Sequence, residues 1–145
     1  MTRPLATINP NAPKAINDRT REMILAFFRA HGYTANVDDV GEATGVVIHP
    51  PGSSVKIRAR CRTAVMRNGY IEFATWRFDR LPQRTAHNDV DAFFAYCPAN
   101  STVYSVDVKH AGPRKVRLRV DPPNVRANSG ATSRIRWASE YEIRF

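Results

Sequence analysis

The run Val55-Lys56-Ile57-Arg58-Ala59-Arg60-Cys61-Arg62-Thr63 alternates without a break. Lys56, Arg58, Arg60 and Arg62 fall on one parity, and Val55, Ile57, Ala59, Cys61 and Thr63 on the other. A period of two is that of a half-buried β-strand, whose successive side chains point to opposite faces. One face then enters a core and the other presents a row of cations about 20 Å long. Mutual repulsion along that row calls for nearby carboxylates or an anionic ligand. Two uses fit: an edge strand kept soluble by charge, and a surface that meets phosphates.

The whole chain leans the same way. Its net charge of +9 and pI near 10.3 favour nucleic acid or an anionic surface as partner. With 145 residues and 43% hydrophobic content it has material for one folded domain. No apolar run approaches the ~20 residues of a membrane span, and Met1-Thr2-Arg3-Pro4 begins no signal core. An intracellular, DNA-associated protein is therefore expected, with no membrane partner. Cys61 and Cys97 lie in apolar, strand-like patterns at a spacing that matches no zinc motif. Both are expected to be buried thiols. His31, His49, His87 and His110 are scattered, and no metal site is read from them.

Taken in order, residues 1–16 read as a flexible basic arm containing Pro4, Pro10 and Pro13. A domain over 17–145 follows. A helix is predicted for 17–31, with Asn17 or Asp18 as its cap and Gly32 closing it. Its buried stripe is Ile24, Leu25, Phe27 and Phe28, with Met23 beside it. Short strands are predicted for 33–37 and 45–49. Pro50-Pro51-Gly52 then turns the chain into the basic strand, making a hairpin. Arg67-Asn68-Gly69 signals another hairpin, returning as a strand over 70–78. Residues 79–89 form a polar loop in which Arg80, Gln83, Arg84, His87 and Asn88 suit phosphates and base edges. A buried strand over 90–97 and its partner over 102–106 come next. Lys115 and Arg117 belong to a further strand with a basic face, Val116, Leu118 and Val120 forming the other. Trp137, Tyr141 and Ile143 are expected to pack in a closing element.

The stretches Asn68-Gly69-Tyr70-Ile71-Glu72-Phe73, Asp89-Val90-Asp91-Ala92-Phe93-Phe94-Ala95-Tyr96-Cys97, Leu118-Arg119-Val120-Asp121-Pro122-Pro123 and Ile135-Arg136-Trp137-Ala138-Ser139-Glu140-Tyr141-Glu142 carry a resemblance. In this order, behind an N-terminal helix, they resemble the small PD-(D/E)XK endonucleases associated with group I introns. The resemblance implies an α+β fold: a single restriction-endonuclease-like domain, its mixed β-sheet carrying an N-terminal helix and hairpin extensions. It also implies a metal site built from a helical Glu, a strand Asp and a Gln-Val-Lys-Thr strand. Glu22 fits the helical Glu. The Asp falls near Gly45, and Gln-Val-Lys-Thr falls on Arg60-Cys61-Arg62-Thr63. Carboxylates hold Mg²⁺ against a scissile phosphate, whereas Arg is always charged and cannot serve as a base.

The resulting expectation is a double-stranded DNA-binding protein on a degenerate nuclease scaffold, a sequence-specific regulator or repressor. Lys56, Arg58, Arg60, Arg62, Lys115 and Arg117, with the 79–89 loop, would meet the DNA. No cofactor is expected, and a homodimer or higher oligomer would match a palindromic site. Glu22 and Glu72 would balance the arginines. The alternative is a Mg²⁺-dependent endonuclease with migrated ligands. Asp38, Asp39 and Glu42 would supply oxygens, Lys56 the amine, and Glu22, Asp39 and Glu42 would be its catalytic residues. A third reading, an RNA-binding or protein-interaction module, would use Tyr70 or Trp76 for stacking.

Overall fold

The structure, a computed structural model, describes residues 13–38, 45–75, 90–112, 114–120 and 135–145. Helix α1 runs Pro13–Arg29. It starts four residues before the expected 17 and so takes up the end of the expected arm. Proline suits a first helical position, where its missing N–H would have no partner anyway. Asn17 and Asp18 therefore lie in the second turn and do not cap the helix. The end is as expected: Gly32 has φ 84°, and Tyr33 N–H donates to the Phe28 carbonyl at 3.1 Å.

Five strands form the first sheet: β1 (Thr34–Val37), β2 (Gly45–His49), β3 (Ile57–Thr63), β6 (Ala92–Cys97) and β7 (Thr102–Asp107). Their spatial order is β1-β2-β3-β6-β7, with only β3–β6 parallel. The predicted β2–β3 and β6–β7 hairpins are both present. The basic strand begins at Ile57, so Val55 and Lys56 precede it and are exposed.

At Ala64 the chain changes sheets. Ala64 is buried, and its N–H still donates to Tyr96 beside β3. The chain then enters a three-stranded antiparallel sheet, β4 (Val65–Arg67), β5 (Tyr70–Ala74) and β8 (Lys115–Arg119), in the order β4-β5-β8. The Asn68-Gly69 turn therefore joins β4 to β5, and β5 does not return along the basic strand as expected. Asn68 and Gly69 have φ of 50° and 80°. Positive φ at both central residues matches a type I′ hairpin, which fits the strand twist.

The two faces of the first sheet carry separate cores. Helix α1 covers one, where Ile24, Leu25 and Phe28 meet Ala35, Val46, Ile48, Ala59, Cys61 and Phe94. Met23 stays 48% exposed, outside the predicted stripe, and Phe27 is half-buried. The second sheet covers the other face. Its Ile71, Phe73, Val116 and Leu118 meet Phe93, Ala95, Cys97, Tyr104 and Val106. Both cysteines are buried and reduced, as expected. The closing element is the short helix α2 (Ala138–Tyr141), anchored by buried Ala138. Tyr141 packs on the second core and Ile143 on the first, while Trp137 bridges to Arg119. Among the described residues, no helix is long and apolar enough to cross a membrane.

Phe93 is fully buried at the centre of the second core. Phe93→Ala is expected to cost about 3–5 kcal/mol. Urea unfolding should show a lowered midpoint with an unchanged slope.

Candidate functional site

The alternation of β3 is real, but two of its three arginines are buried, and only Arg58 is partly exposed. Arg60 is 1% exposed and Arg62 3%. Ala59 and Cys61 point into the helix-side core, so Arg60 and Arg62 point between the sheets. The Arg62 guanidinium donates from Nε to the Ala74 carbonyl at 3.1 Å and from Nη1 to its neighbour Cys61 at 3.0 Å. It also lies 5.5 Å from the centroid of the Phe93 ring. A buried cation is tolerated only when its donors are occupied. Here backbone carbonyls and an aromatic face receive the charge. The contacts of Arg62 and the burial of both side chains stand against the expectation that Arg60 and Arg62 lie on an open surface for DNA. The sequence period shows that one face is cationic, but not that a second sheet lies over it.

Arg58 is also engaged. Its Nε and Nη2 reach both oxygens of Asp38, at 2.9 and 3.3 Å, in a two-pronged pair. The Asp38 side chain is only 11% exposed. Asp38, an oxygen ligand in the nuclease alternative, serves here as a counter-ion. Asp91 is a second carboxylate at this strand, accepting the Arg58 backbone N–H at 2.9 Å. Gly45 pairs directly with Arg60, so the position without a carboxylate sits beside a buried guanidinium. Glu22 is exposed on α1, while the arginines point to the other side of the first sheet.

The residues at these positions do not fit a divalent metal. Guanidinium nitrogens offer donors and no lone pair, glycine offers no side chain, and Asp38 is tied to Arg58. Among the described residues no group of His, Cys, Asp or Glu is arranged to hold an ion. Asp39 and Glu42 lie outside the described residues, as do Arg80, Gln83, Arg84, His87 and Asn88.

Exposed cations gather on the outer face of the second sheet. Period two buries Val116 and Leu118 and turns Lys115, Arg117 and Arg119 outward. The register sets Tyr70 opposite Arg119, Glu72 opposite Arg117 and Ala74 opposite Lys115. Arg67 of β4 stands beside Tyr70. Arg117 donates from Nε to Glu72 at 2.8 Å, and Lys115 Nζ lies 3.6 Å from the same carboxylate. The Arg119 and Arg117 guanidinium carbons lie 4.4 and 5.6 Å from the Tyr70 ring centroid. The hydrogen bond from Arg117 holds the Glu72 carboxyl below its usual range, helped by the positive charge of Lys115 and against some desolvation. Glu72 thus balances the outer cations, not those of β3.

An open cavity of about 660 Å³ adjoins this face, lined among others by Arg67, Arg114, Lys115 and Glu72. The sequence placed Lys115 and Arg117 at the DNA and offered Tyr70 only for stacking on bases, and it did not bring Arg67, Arg114 and Arg119 into the interface. The signal was present in the Arg117-x-Arg119 alternation opposite Tyr70-x-Glu72. The pairing of β5 with β8, some 40 residues apart, had no local mark.

The PD-(D/E)XK endonuclease family matches the chain over residues 12–144. Among solved structures, the bacterial homing endonuclease I-Ssp6803I is similar in fold, with a TM-score of 0.59 and 15% sequence identity. The similarity covers 90% of this chain and 86% of that one. No curated protein matches in sequence.

Two expected outcomes separate the inner from the outer cations. Arg62→Ala leaves buried carbonyls without their donor and opens a void, and should cost about 3 kcal/mol or more in urea unfolding. Arg117→Ala should stay within about 0.5–1 kcal/mol. Equal losses would place both arginines in the same kind of environment. Glu72 yields a pH dependence. Its folded-state pKa lies below the ordinary 4.5. Its contribution is therefore complete above 4.5 and is lost as pH falls through the lower folded value. Glu72→Gln should flatten the acid limb of the stability–pH curve, an effect that weakens with added salt.

Proposed function

This chain belongs to the PD-(D/E)XK endonuclease family, and on that premise we propose that it binds double-stranded DNA and does not cut it. The observation that carries this reading is the burial of Arg60 and Arg62 where the family's catalytic strand would present its amide and its lysine. The Arg62 guanidinium, bonded to backbone carbonyls between two sheets, neither activates water nor approaches a phosphate. Metal-assisted hydrolysis needs oxygen ligands around the ion. Next to Arg60, the paired strand offers Gly45 instead.

Binding survives the loss of cutting because it rests on other residues. Arg67, Arg114, Lys115, Arg117 and Arg119 make the second sheet's outer face cationic, with Glu72 as the balancing carboxylate. Phosphate contact by such residues supplies affinity through counterion release. A protein that occupies a DNA site without cleaving it acts by exclusion, which is the work of a repressor or another regulator.

The test uses a labelled duplex pool with Mg²⁺ or Mn²⁺, resolved on native and denaturing gels. A shifted band with intact strands is expected. Cleavage that persists in Arg62→Met and is lost in Asp39→Asn or Glu42→Gln would overturn the reading in favour of a cutting enzyme. Replacing Arg114 and Lys115 together by Ala should flatten the slope of log K against log salt by about 1.8, or ~0.9 for each phosphate no longer neutralised. An unchanged slope would remove this face from the interface.

A further inference from the structure

The outer face of the second sheet is not built for phosphates alone. A surface that only neutralises a backbone gains nothing from a carboxylate at its centre. Yet Glu72 sits there, between Arg117 and Lys115. Base edges in the major groove present both kinds of partner. Guanine offers the acceptors O6 and N7, and cytosine offers the N4 amine as donor. A mixed row of guanidinium and carboxylate fits that pattern and fits a row of phosphates poorly.

The geometry of β5 and β8 fits the same partner. They are neighbouring antiparallel strands of the three-stranded second sheet, in which β4 pairs with the other edge of β5, and the ~12 Å major groove is wide enough for a β5–β8 pair presented on its outer face. Its inner side is pinned: Ile71, Phe73, Val116 and Leu118 are buried in the second core. On its outer side Tyr70, Glu72 and Ala74 face Arg119, Arg117 and Lys115. Alternate residues along a strand are ~6.8 Å apart, which is two base-pair steps at ~3.4 Å each.

The two arginines are also held in place. Arg119 stacks 4.4 Å from the Tyr70 ring centroid, and Arg117 lies against the same ring while its Nε bonds Glu72. A guanidinium carries five N–H donors, so the bond from Nε to Glu72 still leaves the terminal amino groups of Arg117 to act as a fork. Guanidinium forks fixed on a rigid ribbon lose little conformational entropy on binding. The phosphates would fall to Arg67, Arg114 and Lys115 around the adjoining cavity.

We infer that the β5–β8 ribbon enters the DNA major groove, where Arg117 and Arg119 read guanines two base-pair steps apart and Glu72 faces a cytosine amine. The inference rests on the proposal that the chain binds DNA. Tyr70 acts as a positioning residue, holding both forks without touching a base. Double-stranded RNA is excluded as a target of this mode, because its major groove is too deep and narrow for side chains to read.

The experiment selects duplexes from a randomised pool with the full chain. The selected duplex is then remade with 7-deazaguanine, which lacks only the N7 acceptor. Expected are a motif with guanines at that spacing and a loss of about tenfold or more on substitution. Arg117→Lys, which keeps the charge but not the fork, should lose more on the selected duplex than on a scrambled one. Tyr70→Leu should likewise narrow the gap between the two duplexes, and Tyr70→Phe should restore it. Equal binding to normal and 7-deaza duplex, no motif, or displacement by a minor-groove ligand would overturn the inference and leave DNA binding standing. No shift with any duplex at low salt would overturn both.

Discussion

Strand β3 has no solvent face through most of its length. Helix α1 and its apolar stripe cover one side, and the second sheet covers the other. The Arg62 guanidinium sits in the second interface and donates to Ala74, the last residue of β5, and to Cys61 of its own strand. It thus ties the end of the second sheet to the central strand of the first. A buried charge is costly unless its donors are taken up. Those carbonyl bonds, with Phe93 beneath, make the position tenable. They also fix the second sheet over that face of the first.

The +9 charge of the chain is accordingly put to two uses. On β3, Arg60 and Arg62 are buried between the sheets and the partly exposed Arg58 is paired with Asp38. On β5, β8 and the end of β4, cations surround one tyrosine and one glutamate at the surface. The first group shapes the fold and the second lies at the surface. The same residue type serves both because an arginine stem packs against apolar surface while its planar head takes directed hydrogen bonds. Lysine would be a poorer choice between the sheets, since it cannot spread its charge over several fixed carbonyls.

Much of the fold was legible in the chain. The α1 stripe, the Gly32 stop, the β2–β3 and β6–β7 hairpins and the Asn68-Gly69 turn all follow from local periods and turn chemistry. The departures share a cause. The helix start at Pro13 and the sheet change at Ala64 depend on what the neighbouring chain does, and neither has a local period to mark it. The candidate interface was half legible. Lys115, Arg117 and Arg119 share one alternation within β8, but Tyr70 and Arg67 join them only when β5 pairs with that strand far along the chain.

By itself, the sequence determined the order of helix and strands and the two parities of β3, with arginines on one of them. These are properties of one segment at a time, and a period of two or 3.6 expresses them. Only the tertiary structure decided which cations meet solvent. Alternation separates two faces but does not say what covers each one. Water and a second sheet are both compatible with an arginine face, provided the hydrogen bonds are made. The packing of β4, β5 and β8 over the first sheet made that choice, burying Arg60 and Arg62 of β3 and leaving Lys115 and Arg117 of β8 exposed.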